Sequence, residues 1–128
     1  MRRHVYSGTP LEPRLGYSRA VRDGRHVAVS ATAAIWPDGD VDPDVTAQAR
    51  RCLEIIERAL REAGAELADV IRTRVYLTDP ADGEAVGAVH GEAFGDIRPA
   101  TGFIVVSGFL DPRWKLEIEA DAYTSSAS

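Results

Sequence analysis

Apolar or small residues at Val45, Ala49, Cys52, Leu53, Ile56, Leu60 and Ala63 recur three or four positions apart, with Arg50, Arg51, Glu54, Glu57, Arg58 and Arg61 mostly between them. That period predicts one long helix with a buried stripe and a solvated face. Pro43-Asp44 supplies its entry and Gly64 its left-handed stop. Elsewhere the period falls to two. Tyr17 to Val21 and His26 to Ala31 flank the turn pair Asp23-Gly24 and predict a hairpin. Val70 to Leu77 places Ile71, Thr73, Val75 and Leu77 on one side of a strand, and Val70, Arg72, Arg74 and Tyr76 on the other. Asp79-Pro80 opens a second helix whose stripe of Val86, Val89, His90 and Phe94 is interrupted by Gly83, Gly87 and Gly91. Thr101 to Ser107 and Trp114 to Tyr123 read as closing strands, followed by a disordered tail over 124–128.

Strands, helix, strand, helix and two strands form an α+β order: a mixed sheet with both helices packed on one face, in a single domain over 1–123. Arg72, Arg74 and Tyr76 then lie on a face that the helices leave uncovered.

Composition narrows the partners. A chain of 128 residues, 45% hydrophobic and 27% charged, suffices for one core. Its formal charge of −5 disfavours nucleic acid, which needs a clustered basic surface. No apolar run reaches the roughly 20 residues of a membrane span, and the Met1-Arg2-Arg3-His4 start lacks an apolar signal core. A cytoplasmic protein without membrane association is expected. Cys52 is the only cysteine and falls on the buried stripe of the long helix, so it is assigned packing rather than chemistry. His4, His26 and His90 lack partners at ligand spacing, so neither a metal nor a cofactor is expected.

Several short stretches stand in a set order along the chain: Gly16-Tyr17-Ser18-Arg19-Ala20-Val21, Val27-Ala28-Val29-Ser30, Gln48-Ala49, Val75-Tyr76-Leu77-Thr78-Asp79, Arg98-Pro99-Ala100-Thr101 and Glu117-Ile118-Glu119-Ala120. Together they resemble the RidA/YjgF family, whose members hydrolyse reactive imines and enamines. The resemblance implies the chorismate-mutase-like fold, a mixed six-stranded sheet with two helices on one face. It also implies a homotrimer whose uncovered sheet faces form a central barrel and whose inter-subunit clefts hold a small-molecule ligand.

In deaminating relatives an arginine directly after Pro-Ala grips the substrate carboxylate through two parallel hydrogen bonds. Here Thr101 stands at that position, and a hydroxyl offers a single neutral bond. Arg98 is a candidate replacement, although an offset of three across Pro99 does not place it on the same face; its other reading is a surface arginine paired with Asp96. Glu119 matches the family glutamate that positions the attacking water, but Lys115, Glu117, Glu119 and Asp121 also alternate as an ordinary polar face. Tyr17 and Ser30 coincide with pocket positions. Ala31 replaces a common glycine and Phe103 a smaller side chain, while Gly87 stands where an asparagine is common.

The resemblance therefore implies a metabolite-binding protein with a catalytic candidate in Glu119 and a binding set of Tyr17, Ser30, Ala31, Thr101, Phe103 and Arg98. Two readings stay open: hydrolysis of an imine, enamine or related reactive intermediate outside the standard 2-iminoacid range, or ligand binding by a noncatalytic trimer.

Overall fold

A computed structural model describes residues 2–125. Six strands, β1 (Arg2–Val5), β2 (Ala20–Asp23), β3 (His26–Ala33), β4 (Val70–Leu77), β5 (Ala100–Val105) and β6 (Leu116–Tyr123), form one sheet in the order β1-β2-β3-β6-β4-β5. All neighbours are antiparallel except β4 and β5, which run parallel. Three helices, α1 (Leu11–Leu15), α2 (Val45–Glu62) and α3 (Gly83–Phe94), complete the α+β fold. α2 connects β3 to β4 and α3 connects β4 to β5, both crossings stepping the same way across the sheet. Right-handed crossovers taken in one direction place their helices on one face.

The core lies under those helices. Ala49, Cys52, Ile56 and Leu60 of α2 and Val86, Val89 and Phe94 of α3 meet Val27, Val75, Leu116, Ile118 and Ala122 of the sheet. The α2 stripe thus packs as its spacing requires, and Asp44 caps the helix by accepting a bond from the Ala47 amide. Burial pushes the Cys52 thiol far up, which suits a packed group rather than a nucleophile. Gln48 is also buried; its amide donates to Asp42 and Arg113 carbonyls and accepts from Lys115 N, fixing the entry of β6 to that of α2. Among the described residues no helix is long and apolar enough to cross a membrane.

Four details depart from the periodicity. β1 and α1 carry no pattern that marked them. Tyr17 to Arg19 precede β2 instead of forming it, because the Tyr17 amide closes α1 on Glu12 O while Gly16 adopts the left-handed cap. In β4, Val70 is buried and Ile71 is 51% exposed, the reverse of the expected alternation, since the pairing with β6 slips between Val70 and Arg72. Thr124, expected in the tail, is buried with its amide bonded to Arg25 O; residues 126–128 of that tail lie outside the described residues.

Gly64 has φ +84, and a Cβ there would lie 2.6 Å from Arg22 Nη1, which donates to Ala63 O. Gly64→Ala is therefore expected to destabilise the protein by more than about 1 kcal/mol in urea unfolding, through both backbone strain and displacement of that guanidinium.

Candidate functional site

The face opposite the helices carries the polar half of β4 and β6. Tyr76 donates to Glu119 Oε1 at 2.6 Å, and Arg74 Nη1 reaches the same oxygen at 3.3 Å. Arg74 also lies 3.5 Å from Asp121 Oδ2, and Asp121 Oδ1 lies 3.0 Å from His26 Nε2. This follows from register: Arg74 stands opposite Glu119, so the antiparallel pair puts opposite charges side by side. The bond to Glu119 pushes the Tyr76 phenol up, since ionising it would set two anions together.

Glu117 differs. It is half-buried on the same strand, and among the described residues its carboxylate has no hydrogen-bond or ion-pair partner. Desolvation pushes its pKa up, the charge of Arg19 pulls it down, and that of Glu119 adds to the rise.

Beside this face an open groove of about 1070 Å³ runs between the β1–α1 connection and the sheet, with Tyr17, Ser30, Arg74 and Glu119 among its lining. Its wall is held by a buried ion pair. Glu12 is 1% exposed and accepts from Ser7 N at 3.0 Å, Gly8 N at 3.3 Å and the Ser7 hydroxyl. Arg19 Nε lies 3.5 Å from Glu12 Oε2, while its Nη1 donates to Ala31 O and Thr32 Oγ1, both at 3.0 Å. Its guanidinium carbon sits 5.5 Å above the Tyr17 ring, and Nη2 donates to the Tyr17 hydroxyl at 3.4 Å. Ser30 N and Oγ both donate to Arg19 O, at 2.9 and 3.1 Å. The pairing of β3 with β6 slips between Val29 and Thr32, so Ser30 and Ala31 occupy the irregularity and Arg19 fastens it.

Thr101 and Phe103 lie elsewhere. They pair with Thr73 and Val75, the core-facing residues of β4, and so belong to the helix side of the sheet. Thr101 Oγ1 donates to Pro99 O at 3.0 Å and lies 2.8 Å from Thr73 Oγ1, which is 2.8 Å from His90 Nε2. His90 packs against Phe94 and meets the edge of the Phe103 ring at 6.0 Å, and burial lowers its pKa. Phe103, Ile104 and Val105 stay exposed at 46%, 41% and 54%. Arg98 closes α3 with φ 53, its amide donating to Phe94 O; its exposed side chain makes no ion pair among the described residues, with Asp96 or otherwise.

One chain therefore brings Tyr17, Ser30, Ala31 and Glu119 to one region and Thr101 with Phe103 to the other side of the sheet. No sequence signal singles out Glu12 or Arg19, although Arg19 lies inside the Gly16–Val21 stretch, and Glu117 is legible only as part of a polar alternation and of the Glu117–Ala120 stretch. Among the described residues no cluster of three or more His, Cys, Asp or Glu is arranged to hold a metal ion.

The model of the family described as Endoribonuclease L-PSP matches residues 8–124. A protein named 3-aminoacrylate deaminase RutC from Acinetobacter baylyi is 35% identical over 118 residues, covering 91% of this chain and 92% of the relative. A crystal structure of a YjgF/YER057c/UK114 family member from Mycobacterium tuberculosis superposes with a TM-score of 0.90 at 47% identity, covering 97% of this chain and all of that one (100%). Escherichia coli TdcF, solved with bound serine, superposes with a TM-score of 0.81 at 28% identity, covering 96% and 94% of the two chains.

Proposed function

The chain belongs to the Endoribonuclease L-PSP family, the RidA/YjgF group, and from that membership we propose a homotrimer whose inter-subunit clefts bind a small metabolite and hydrolyse an imine or enamine lacking a free carboxylate. The carrying observation is Glu117, a half-buried carboxyl with a raised pKa and no partner of its own among the described residues. A carboxylate so placed is a competent proton acceptor. Glu119, to which the sequence points for this role, is already held by Tyr76 and Arg74.

Two copies are needed because the candidate residues lie on opposite faces of one sheet. Seating the exposed edge strand β5 of one copy against the polar face of another joins Thr101 and Phe103 to Tyr17, Ser30 and Glu117, and covers Ile104 and Val105. The family description mentions RNA cleavage, but an overall charge of −5 and a groove lined by Glu119 and Asp121 oppose a phosphate backbone.

In the reaction, water adds its oxygen to the imine carbon while Glu117 takes one of its protons and passes it to the imine nitrogen, giving a carbinolamine. Glu117 then takes the hydroxyl proton and delivers it to the same nitrogen, so the C–N bond breaks with its electrons leaving on ammonia as the carbonyl forms. Both protons of water end on nitrogen, Glu117 is returned ionised, and water and imine give carbonyl and ammonia with no other reactant. Tyr17, Ser30 and the Ala31 backbone shape the wall; Arg19 and Glu12 position that wall without touching substrate.

Because the base must be ionised and its pKa is raised, kcat/KM is expected to fall on acidification along a limb lying above the ordinary carboxylate value of 4.5. A pH profile of ammonia release from a neutral imine checks this, and a limb at or below 4.5 counts against Glu117. The second reading, noncatalytic binding, draws on the engagement of Glu119 and predicts saturable ligand binding with no product at any pH.

A further inference from the structure

The hydroxyl of Thr101 has one proton, and the structure accounts for where it goes. Pro99 O is a carbonyl and brings no proton, so Thr101 donates across the 3.0 Å contact. The 2.8 Å contact between Thr101 and Thr73 then needs the proton of Thr73. With that proton used, the 2.8 Å contact between Thr73 and His90 needs a proton on His90 Nε2. The chain runs one way, from imidazole N–H through two hydroxyls to a carbonyl. Reversing it leaves Thr101 and Pro99 oxygens facing each other at hydrogen-bond distance with no proton between them.

Thr101 therefore has no proton to offer outward and one lone pair left. We propose that the Thr101 subsite recognises a hydrogen-bond donor, such as a carboxamide, an ammonium or a protonated imine nitrogen, and rejects a carboxylate. A carboxylate oxygen set against that lone pair meets repulsion and loses its hydration without compensation. The adjoining ring of Phe103, 46% exposed, gives the rest of the ligand an apolar support. This inference rests on the placement of Thr101 in the cleft, and it goes further by fixing the polarity of the group bound there.

Two measurements test it. Long-range proton–nitrogen spectra of histidine-labelled protein, assigned with His90→Gln, are expected to show Nε2 protonated and Nδ1 bare; protonation at Nδ1 overturns the proposal. Titration with lactamide and lactate, which differ only in the group at issue, is expected to show lactamide bound about tenfold more tightly, with Thr101→Val removing the difference. Lactate binding as well or better, lactate binding that depends on Arg98, or no saturation by either probe overturns it. Selectivity for lactamide in a protein that turns nothing over would leave this subsite standing and remove only the hydrolytic reading.

Discussion

Thr101→Arg is expected to raise kcat/KM for 2-iminopropanoate by roughly 10²-fold. Two charge-assisted hydrogen bonds to a carboxylate contribute about 1.5–3 kcal/mol each, and the lower end suits an open cleft. The position accepts a longer side chain, since Thr101 is exposed on β5 and only its hydroxyl is engaged. Losing that hydroxyl leaves Thr73 short of an acceptor, with an expected stability cost of about 1 kcal/mol. The same change should weaken lactamide binding. Measured ammonia release decides the matter: a variant no faster than the parent on the carboxylate substrate would place the acid-binding subsite away from residue 101.

Glu117→Gln is expected to lower hydrolysis by about 10²- to 10⁴-fold, the range lost with a general base, because an amide of the same shape cannot take a proton. Glu119→Gln should cost less than about tenfold, since Glu119 accepts from Tyr76 and Arg74 instead of from water. Stability separates the roles further. A carboxyl whose folded pKa is raised above its unfolded value of 4.5 contributes stability below that value and loses it as pH rises through the folded pKa. Relative to Glu117→Gln, the parent should therefore melt lower at neutral pH, with the gap closing below about pH 4.5. Equal loss of activity in both variants, or a destabilised Glu117→Gln at neutral pH, would contradict this assignment.

Much of the fold is legible because single elements carry their own period. α2 reads cleanly since its stripe needs only a surface to pack on. β4 does not, because the slip that exposes Ile71 is set by pairing with β6, more than forty residues away in the Val70–Ala122 register. β1 stays hidden for a similar reason: Arg2–Val5 is short, charged and defined only by its pairing with β2. α1 spans five residues with a proline inside, too short for periodicity.

The site divides in the same manner. Tyr17, Ser30 and Thr101 can be picked out because they fall in short stretches whose order resembles the RidA/YjgF family, and Phe103 because it lies two residues beyond Thr101 on the same side of the strand. Alternation places Glu117, Glu119 and Asp121 on one face but cannot rank them. The ranking comes from Arg74 and Tyr76 on β4, which engage Glu119 and leave Glu117 without a partner among the described residues. The Glu12–Arg19 pair and the proton order through Thr73 are tertiary, so no local pattern announces them.

The most direct test of the central claim is the ratio of kcat/KM for two substrates differing in one group, 2-iminopropanamide and 2-iminopropanoate, generated in place and followed by ammonia release. With the Thr101 hydroxyl committed to Pro99 and bonded to no cation among the described residues, the amide should turn over faster. Faster turnover of the carboxylate, abolished by Arg98→Ala and untouched by Thr101→Val, would show that a guanidinium from outside this position does the binding.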